Sequence, residues 1–173
     1  MTMVDIAAAR ARATELVERF GVKAPPVPVE RIAKQLGVIV HYAPFDDELS
    51  GMAFLKEGSE IIGINSNHHP NRQRYTLAHE LAHICLHRPH LEAGVHVDQG
   101  SVNSLRRDLV SQEGTDPLER EANAFAAELL MPKKLLAGAL DDRLLDLDDD
   151  RLIALAKRFK VSLMALQYRL QRI

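Results

Sequence analysis

Residues 71–88 form a helix-competent run without a single Pro or Gly, and His79-Glu80-Leu81-Ala82-His83 stands in its middle. Arg74-Tyr75-Thr76-Leu77-Ala78 leads in and Ile84-Cys85-Leu86 leads out. Propensity and the absence of breakers predict an α-helix here. On a helix, positions i and i+4 share one face, so both imidazoles point to the same spot. Two histidines at that spacing supply two of the three protein ligands of a catalytic zinc site, with Glu80 beside them as general base. Zinc lowers the pKa of a bound water to roughly 7, and a neighbouring carboxylate can take its proton. The hydroxide so formed can attack a peptide carbonyl.

The third ligand must come from downstream, where His87, His90, His96, Asp98, Glu113, Asp116, Glu119, Glu121 and Glu128 offer donors. A metzincin arrangement would need Gly and His where this chain has Leu86 and Pro89, so that pattern is excluded. A Glu on a second helix is the other route. Residues 117–131, PLEREANAFAAELLM, predict such a helix, with Pro117 suited to its first turn. Leu118, Ala122, Phe125, Ala126, Leu129 and Leu130 make its apolar face, and Glu119, Asn123 and Ala127 form the adjoining stripe. A Glu ligand on that stripe would let Asn123, one turn on, hold the second ring nitrogen of a ligand histidine. Glu121 falls on the far side of the helix and is expected in solvent. His87, a turn beyond His83, and Tyr75 are candidate hydrogen-bond donors to a transition state, weighed against surface and packing roles. Tyr42 is a further candidate electrophilic partner, with packing the expected role. Cys85 faces away from both histidines and reads as a small buried apolar residue.

The remaining organisation follows from local signals. Residues 5–20 predict a helix with Asp5 as N-cap and Gly21 as its stop. Ala24-Pro25-Pro26-Val27-Pro28 is a stiff connector, and a second helix from Pro28 to Leu36 ends at Gly37. Val38–Tyr42 is β-rich, and Ser50–Leu55 and Glu60–Asn65 read as two strands joined by a turn at Lys56-Glu57-Gly58-Ser59. The expected fold is therefore α+β, mainly helical, with a small three-stranded sheet beside the metal helix. An edge strand of that sheet can hold an extended peptide over the metal. Residues 88–116 are rich in Gly, Ser and Asn and predict a long loop, read equally as a flap near the cleft, with a short helix around Val102–Val110, or as a disordered surface loop.

Charge is asymmetric near the C-terminus. Residues 141–150 carry six Asp and one Arg, whereas residues 151–173 carry six basic residues and no acid. Leu152, Leu155, Ala156, Phe159, Leu163, Leu166 and Leu170 mark two helices joined by a tight turn at Lys160-Val161-Ser162, with Ser162 as N-cap. This helix-turn-helix-like unit invites a DNA-binding reading. The net charge of −2 and the adjacent acidic run argue against it, so packing or partner docking is expected instead. A single cysteine rules out an internal disulfide and fits a reducing compartment. The N-terminus shows no signal-peptide pattern, and no apolar run approaches the roughly 18 residues of a membrane span, so a cytoplasmic protein is expected. No feature specifies an oligomeric state.

The segments RQRYTLAHELAHICLH and EREANAFAAELLMP together resemble the ImmA/IrrE family of zinc metallo-endopeptidases, which are gluzincin-like HExxH enzymes. PPVPVERIAKQLGVIV, LSGMAF, EIIGIN and the C-terminal LIALAKRFKVSLMALQYRL are similar to other parts of that family, so the resemblance runs from about Arg10 to Leu170. It implies one zinc per chain held by His79, His83 and Glu119, with Glu80 as base. It also implies residues 1–140 as a peptidase domain and 141–173 as a helical region packed on it. The implied substrate is a protein, a helix-turn-helix repressor in a stress or mobile-element switch. The competing reading is a non-catalytic regulatory module that binds a partner through its C-terminal helices.

Overall fold

A computed structural model describes residues 3–98, 116–140 and 148–173. Helix α1 spans Ile6–Arg19, capped by the Asp5 carboxylate on the Ala8 N–H at 2.8 Å. Helix α2 spans Val29–Gln35. Strands β1 (Ile39–Ala43), β2 (Gly51–Lys56) and β3 (Ser59–Asn65) follow. Helix α3 spans Pro70–Leu86 and carries the His-Glu motif. Helix α4 (Arg88–Ala93) and strand β4 (His96–Asp98) come next. Helices α5 (Pro117–Leu130), α6 (Lys133–Leu140), α7 (Asp149–Phe159) and α8 (Leu163–Leu170) complete the described chain. None of the described helices is long and apolar enough to cross a membrane.

The α+β expectation holds, but the sheet has four strands rather than three, in the order β1-β3-β2-β4. β1 runs parallel to β3, while β2 is antiparallel to both β3 and β4. The β2–β3 turn fits the residues chosen for it: Glu57 and Gly58 both have positive φ, 50° and 78°, as a tight right-twisting hairpin requires. The extra strand and α4 lie in the segment expected to be a loop. The strand is three residues long and α4 six, too short for either periodicity to register. The helix expected around Val102–Val110 lies outside the described residues. Tyr42, expected to pack, is 47% exposed on β1, because β1 is an edge of the sheet.

Helix α3 lies against the sheet and α5, and every residue from Thr76 to Ile84 is buried. A helix buried on all sides must satisfy its polar side chains from neighbouring elements, which makes His79, Glu80 and His83 costly unless they are partnered. Gly51 of β2 permits the close approach. A Cβ there would sit 2.5 Å from Thr76 Cγ2, 2.9 Å from the Gly63 carbonyl oxygen and 3.5 Å from Glu80 Cγ. We therefore expect Gly51→Ala to destabilise the fold by about 1–3 kcal/mol through overpacking. A denaturant melt showing no loss would contradict this close contact.

The C-terminal helices form as expected. Ser162 caps α8 on the Ala165 N–H at 3.1 Å, and Lys160 adopts the left-handed conformation between the helices. Leu155, Ala156, Phe159, Val161, Ala165 and Leu166 are buried in the same hydrophobic cluster as the cores of α3 and α5. Of the six basic residues in this region, Arg169 is 3% exposed and paired with Glu128 of α5, so it is withdrawn from the basic face.

Candidate metal centre

Helical periodicity on α3 brings His79 and His83 together, with their Nε2 atoms 3.3 Å apart. Helix α5 delivers Glu119 from its first turn. One carboxylate oxygen lies 3.1 Å from His79 Nε2, and the other lies 3.2 Å from His83 Nε2. Asp116 caps that helix on the Leu118 N–H at 3.0 Å, fixing where Glu119 begins the turn. His96 of β4 enters the same cluster, with Nε2 at 2.8 Å from Glu119 Oε1 and Nδ1 at 3.0 Å from Glu80 Oε2. The metal-binding atoms of His79, His83, His96 and Glu119 all lie within 4.8 Å of one another.

The opposite ring nitrogens are oriented from behind. Asn123 Oδ1 lies 3.0 Å from His79 Nδ1 and also accepts the Tyr75 hydroxyl at 2.9 Å. An amide oxygen only accepts, so Nδ1 of His79 carries its proton and Nε2 is directed to the cluster. His83 is held by a longer relay. His87 Nε2 donates to the Glu121 carboxylate at 2.8 Å, and His87 Nδ1 lies 3.0 Å from His83 Nδ1. With Nε2 of a neutral His87 protonated, its Nδ1 accepts from His83, and His83 Nε2 is again the atom turned toward Glu119. Glu121 in turn accepts the Asp5 N–H at 2.7 Å, so α1 braces the relay.

These contacts revise two expectations. Glu121 is not solvated: its side chain is 14% exposed, because α1 and His87 cover the side of α5 that a helical wheel leaves empty. His87 has both ring nitrogens engaged with neighbours and is 5% exposed, so it faces His83 and Glu121 rather than an open cleft. The Tyr75 hydroxyl is likewise turned to Asn123. Of the other downstream donors, His90 is exposed, Asp116 is the cap of α5, Glu128 pairs with Arg169, and Glu113 lies outside the described residues. Cys85 packs against the hydrophobic core, and burial pushes its thiol pKa up to about 11. His96 was one donor among many in the sequence. Only its neighbour-alternating position in Val95-His96-Val97 marks a strand, and that is weak over three residues.

The electrostatics are those of a cation site. Burial works against charge on His79, but the Glu119 hydrogen bond and the carboxylates of Asp98, Glu119 and Glu80 outweigh it and hold the ring up at about 9. His96 is likewise pushed up to about 10, burial being overcome by Glu119 and Glu80. Burial, joined by the neighbouring His79 and His96 rings and opposed by Glu119, drives His83 down to about 3. Burial also opposes charge on Glu119, yet hydrogen bonds from three histidines hold its carboxyl well below the usual range. Burial raises Glu80 above the ordinary carboxylate value, against the His96 hydrogen bond. Protons thus sit where a divalent ion would neutralise the same carboxylates, and such an ion must displace them. Glu80 Oε1 is buried with no hydrogen-bond partner among the described residues, the kind of atom that signals a missing polar neighbour. Imidazole and carboxylate donors with their outer nitrogens satisfied fit a zinc ion.

The IrrE N-terminal-like domain pattern of the Peptidase_M78 family matches residues 33–171. The chain is 31% identical over 136 residues to the radiation response metalloprotease IrrE of Deinococcus deserti, covering 78% of this chain and 44% of that protein. Its fold is similar to a transcriptional regulator of Mycobacterium tuberculosis, with a TM-score of 0.59 at 15% identity, over 95% of this chain and 46% of that one. The chain therefore spans less than half the length of either relative. The resemblance carried by the His-Glu helix and the Glu119 helix is thus a family relationship: the chain belongs to the Peptidase_M78, or IrrE N-terminal-like, family.

Proposed function

We propose that this chain is a zinc-dependent endopeptidase in which His79, His83 and Glu119 hold the metal and Glu80 is the general base. The observation that carries this reading is the convergence of His79 Nε2, His83 Nε2 and both Glu119 oxygens beside the buried Glu80 carboxylate. Zinc, when bound, supplies Lewis acidity toward the scissile carbonyl and the attacking water. Glu80 takes a proton from that water, with Oε1 the oxygen that has no hydrogen-bond partner among the described residues, and returns it to the departing amide nitrogen. Its raised pKa, a consequence of burial, brings it closer to neutral pH and makes it a better proton acceptor than an ordinary carboxylate. Asn123 and the His87–Glu121 relay keep the two ligand rings aimed, which limits the reorganisation needed on binding. The side of β2 that β4 pairs with in this structure carries backbone groups that an extended peptide would use in place of β4.

The substrate in this reading is a protein, specifically a helix-turn-helix repressor cut in a cytoplasmic stress or mobile-element switch. Support comes from the radiation response named for the Deinococcus relative. Residues 1–140 would act as the peptidase body, and residues 141–173 as a helical region that docks a partner rather than DNA. The test is cleavage of an unstructured protein before and after chelation. We expect chelation to abolish cleavage and one equivalent of zinc to restore it. Cleavage that persists in the metal-stripped protein contradicts the proposal.

A further inference from the structure

We propose that His96 is a fourth protein ligand of this metal, so that β4 keeps the centre closed until an extended partner strand replaces it on β2. The inference rests on the metal-peptidase reading above and adds a latent state to it. β4 is an exposed edge strand: Val95 and Val97 are 58% and 44% exposed, yet the His96 side chain between them is only 12% exposed. Burial alone would favour the reverse, with the valines inside and the histidine in water. The inward turn is accounted for by what His96 reaches. It lies 2.8 Å from Glu119 and 3.0 Å from Glu80, and its ring stacks on His83 with centroids 3.8 Å apart.

Three protein donors and one open position characterise catalytic zinc sites, whereas four protein donors close a site. His79, His83, His96 and Glu119 are four, all within mutual reach. His96 also occupies Glu80 Oε2, one of the two oxygens of the proposed base. The strand that holds it there is short: Gly51↔Asp98, Met52↔Val97 and Ala53↔His96 are its registered pairs among the described residues. An extended peptide adding to the edge of β2 would use the same β2 backbone groups. Displacing β4 would withdraw His96, open the coordination position and release Glu80 in one movement. Substrate binding and site opening would then be the same event.

The test uses the cobalt-loaded full chain, with His96→Ala and His96→Gln beside wild type. Azide, a small anion that needs an open coordination position, is titrated while the cobalt absorption is followed. Zinc affinity is measured in parallel by chelator competition. We expect azide to alter the spectrum of both variants but not that of wild type, and both variants to bind zinc at least about tenfold more weakly. Gln can hydrogen-bond to Glu80 and Glu119 but is a poor zinc ligand, so a merely structural histidine would be rescued by it. Wild-type zinc affinity in His96→Gln, or an azide response in wild type equal to that of the variants, overturns the proposal. Failure of wild type to take up cobalt or zinc at all overturns the metal reading itself, and this proposal with it. Wild type that takes up the metal but responds to azide as the variants do overturns this proposal alone and leaves the metal reading standing.

Discussion

Glu80→Gln is expected to leave metal binding intact and to reduce peptide cleavage by roughly 10²–10⁴-fold, the usual contribution of a positioned general base. Glu80 is fully buried on α3, and Gln matches its volume, so neither packing nor helix formation should suffer. None of the close contacts among His79, His83 and Glu119 involves Glu80, so the proposed ligand set survives the change. What Gln cannot do is accept and return a proton at neutral pH. Parallel measurement of zinc content and cleavage rate separates the two roles. Cleavage at the wild-type rate would sink the proposed mechanism. Loss of zinc in the variant would show instead that Glu80 supports the metal.

The second large effect concerns stability. Glu128 and Arg169 form a buried ion pair between α5 and α8, and each makes further bonds. Glu128 accepts the Lys133 N–H at 3.1 Å and the Thr14 hydroxyl at 3.4 Å, while Arg169 Nε donates to the Met131 carbonyl at 3.1 Å. The pair thus ties α1, α5, the start of α6 and α8 together. Glu128→Ala leaves a guanidinium in a site that is 3% exposed. Removing one partner of such a pair costs about 3–5 kcal/mol. For a chain of this length that corresponds to a fall in Tm on the order of 10 °C. Replacing both residues with Leu should recover much of the loss, since the stranded charge is then gone. Thermal unfolding of the single and double variants checks both statements. A single-variant loss below about 1 kcal/mol would mean that α8 is not anchored through this pair.

The parts of this molecule that the sequence makes legible are those whose signals are local. His79 and His83 are adjacent because the helix period makes them so, and that needs no knowledge of the rest of the fold. Asp5, Gly21, Ser162 and the Glu57-Gly58 turn are likewise read from residues within a few positions of each other. Glu121 shows the limit. Its place on the helical wheel is right, yet its partners, His87 and the Asp5 N–H, come from α3 and α1, distant in sequence. His96 shows it again. Its strand exists because β2 has an edge to cover, and three residues carry too little pattern to announce that. Glu119 lies between the extremes: spacing offered it among several donors, and only the family resemblance singled it out.

The most direct test of the metal centre is elemental mass spectrometry on the wild-type chain and on Glu119→Ala after gentle dialysis. The proposed site predicts one zinc per wild-type chain and much weaker retention in the variant, because Glu119 is the carboxylate that faces His79, His83 and His96 together. Equal retention in both proteins would place the third ligand elsewhere. No zinc in wild type, even when it is offered, would contradict the metallopeptidase reading outright.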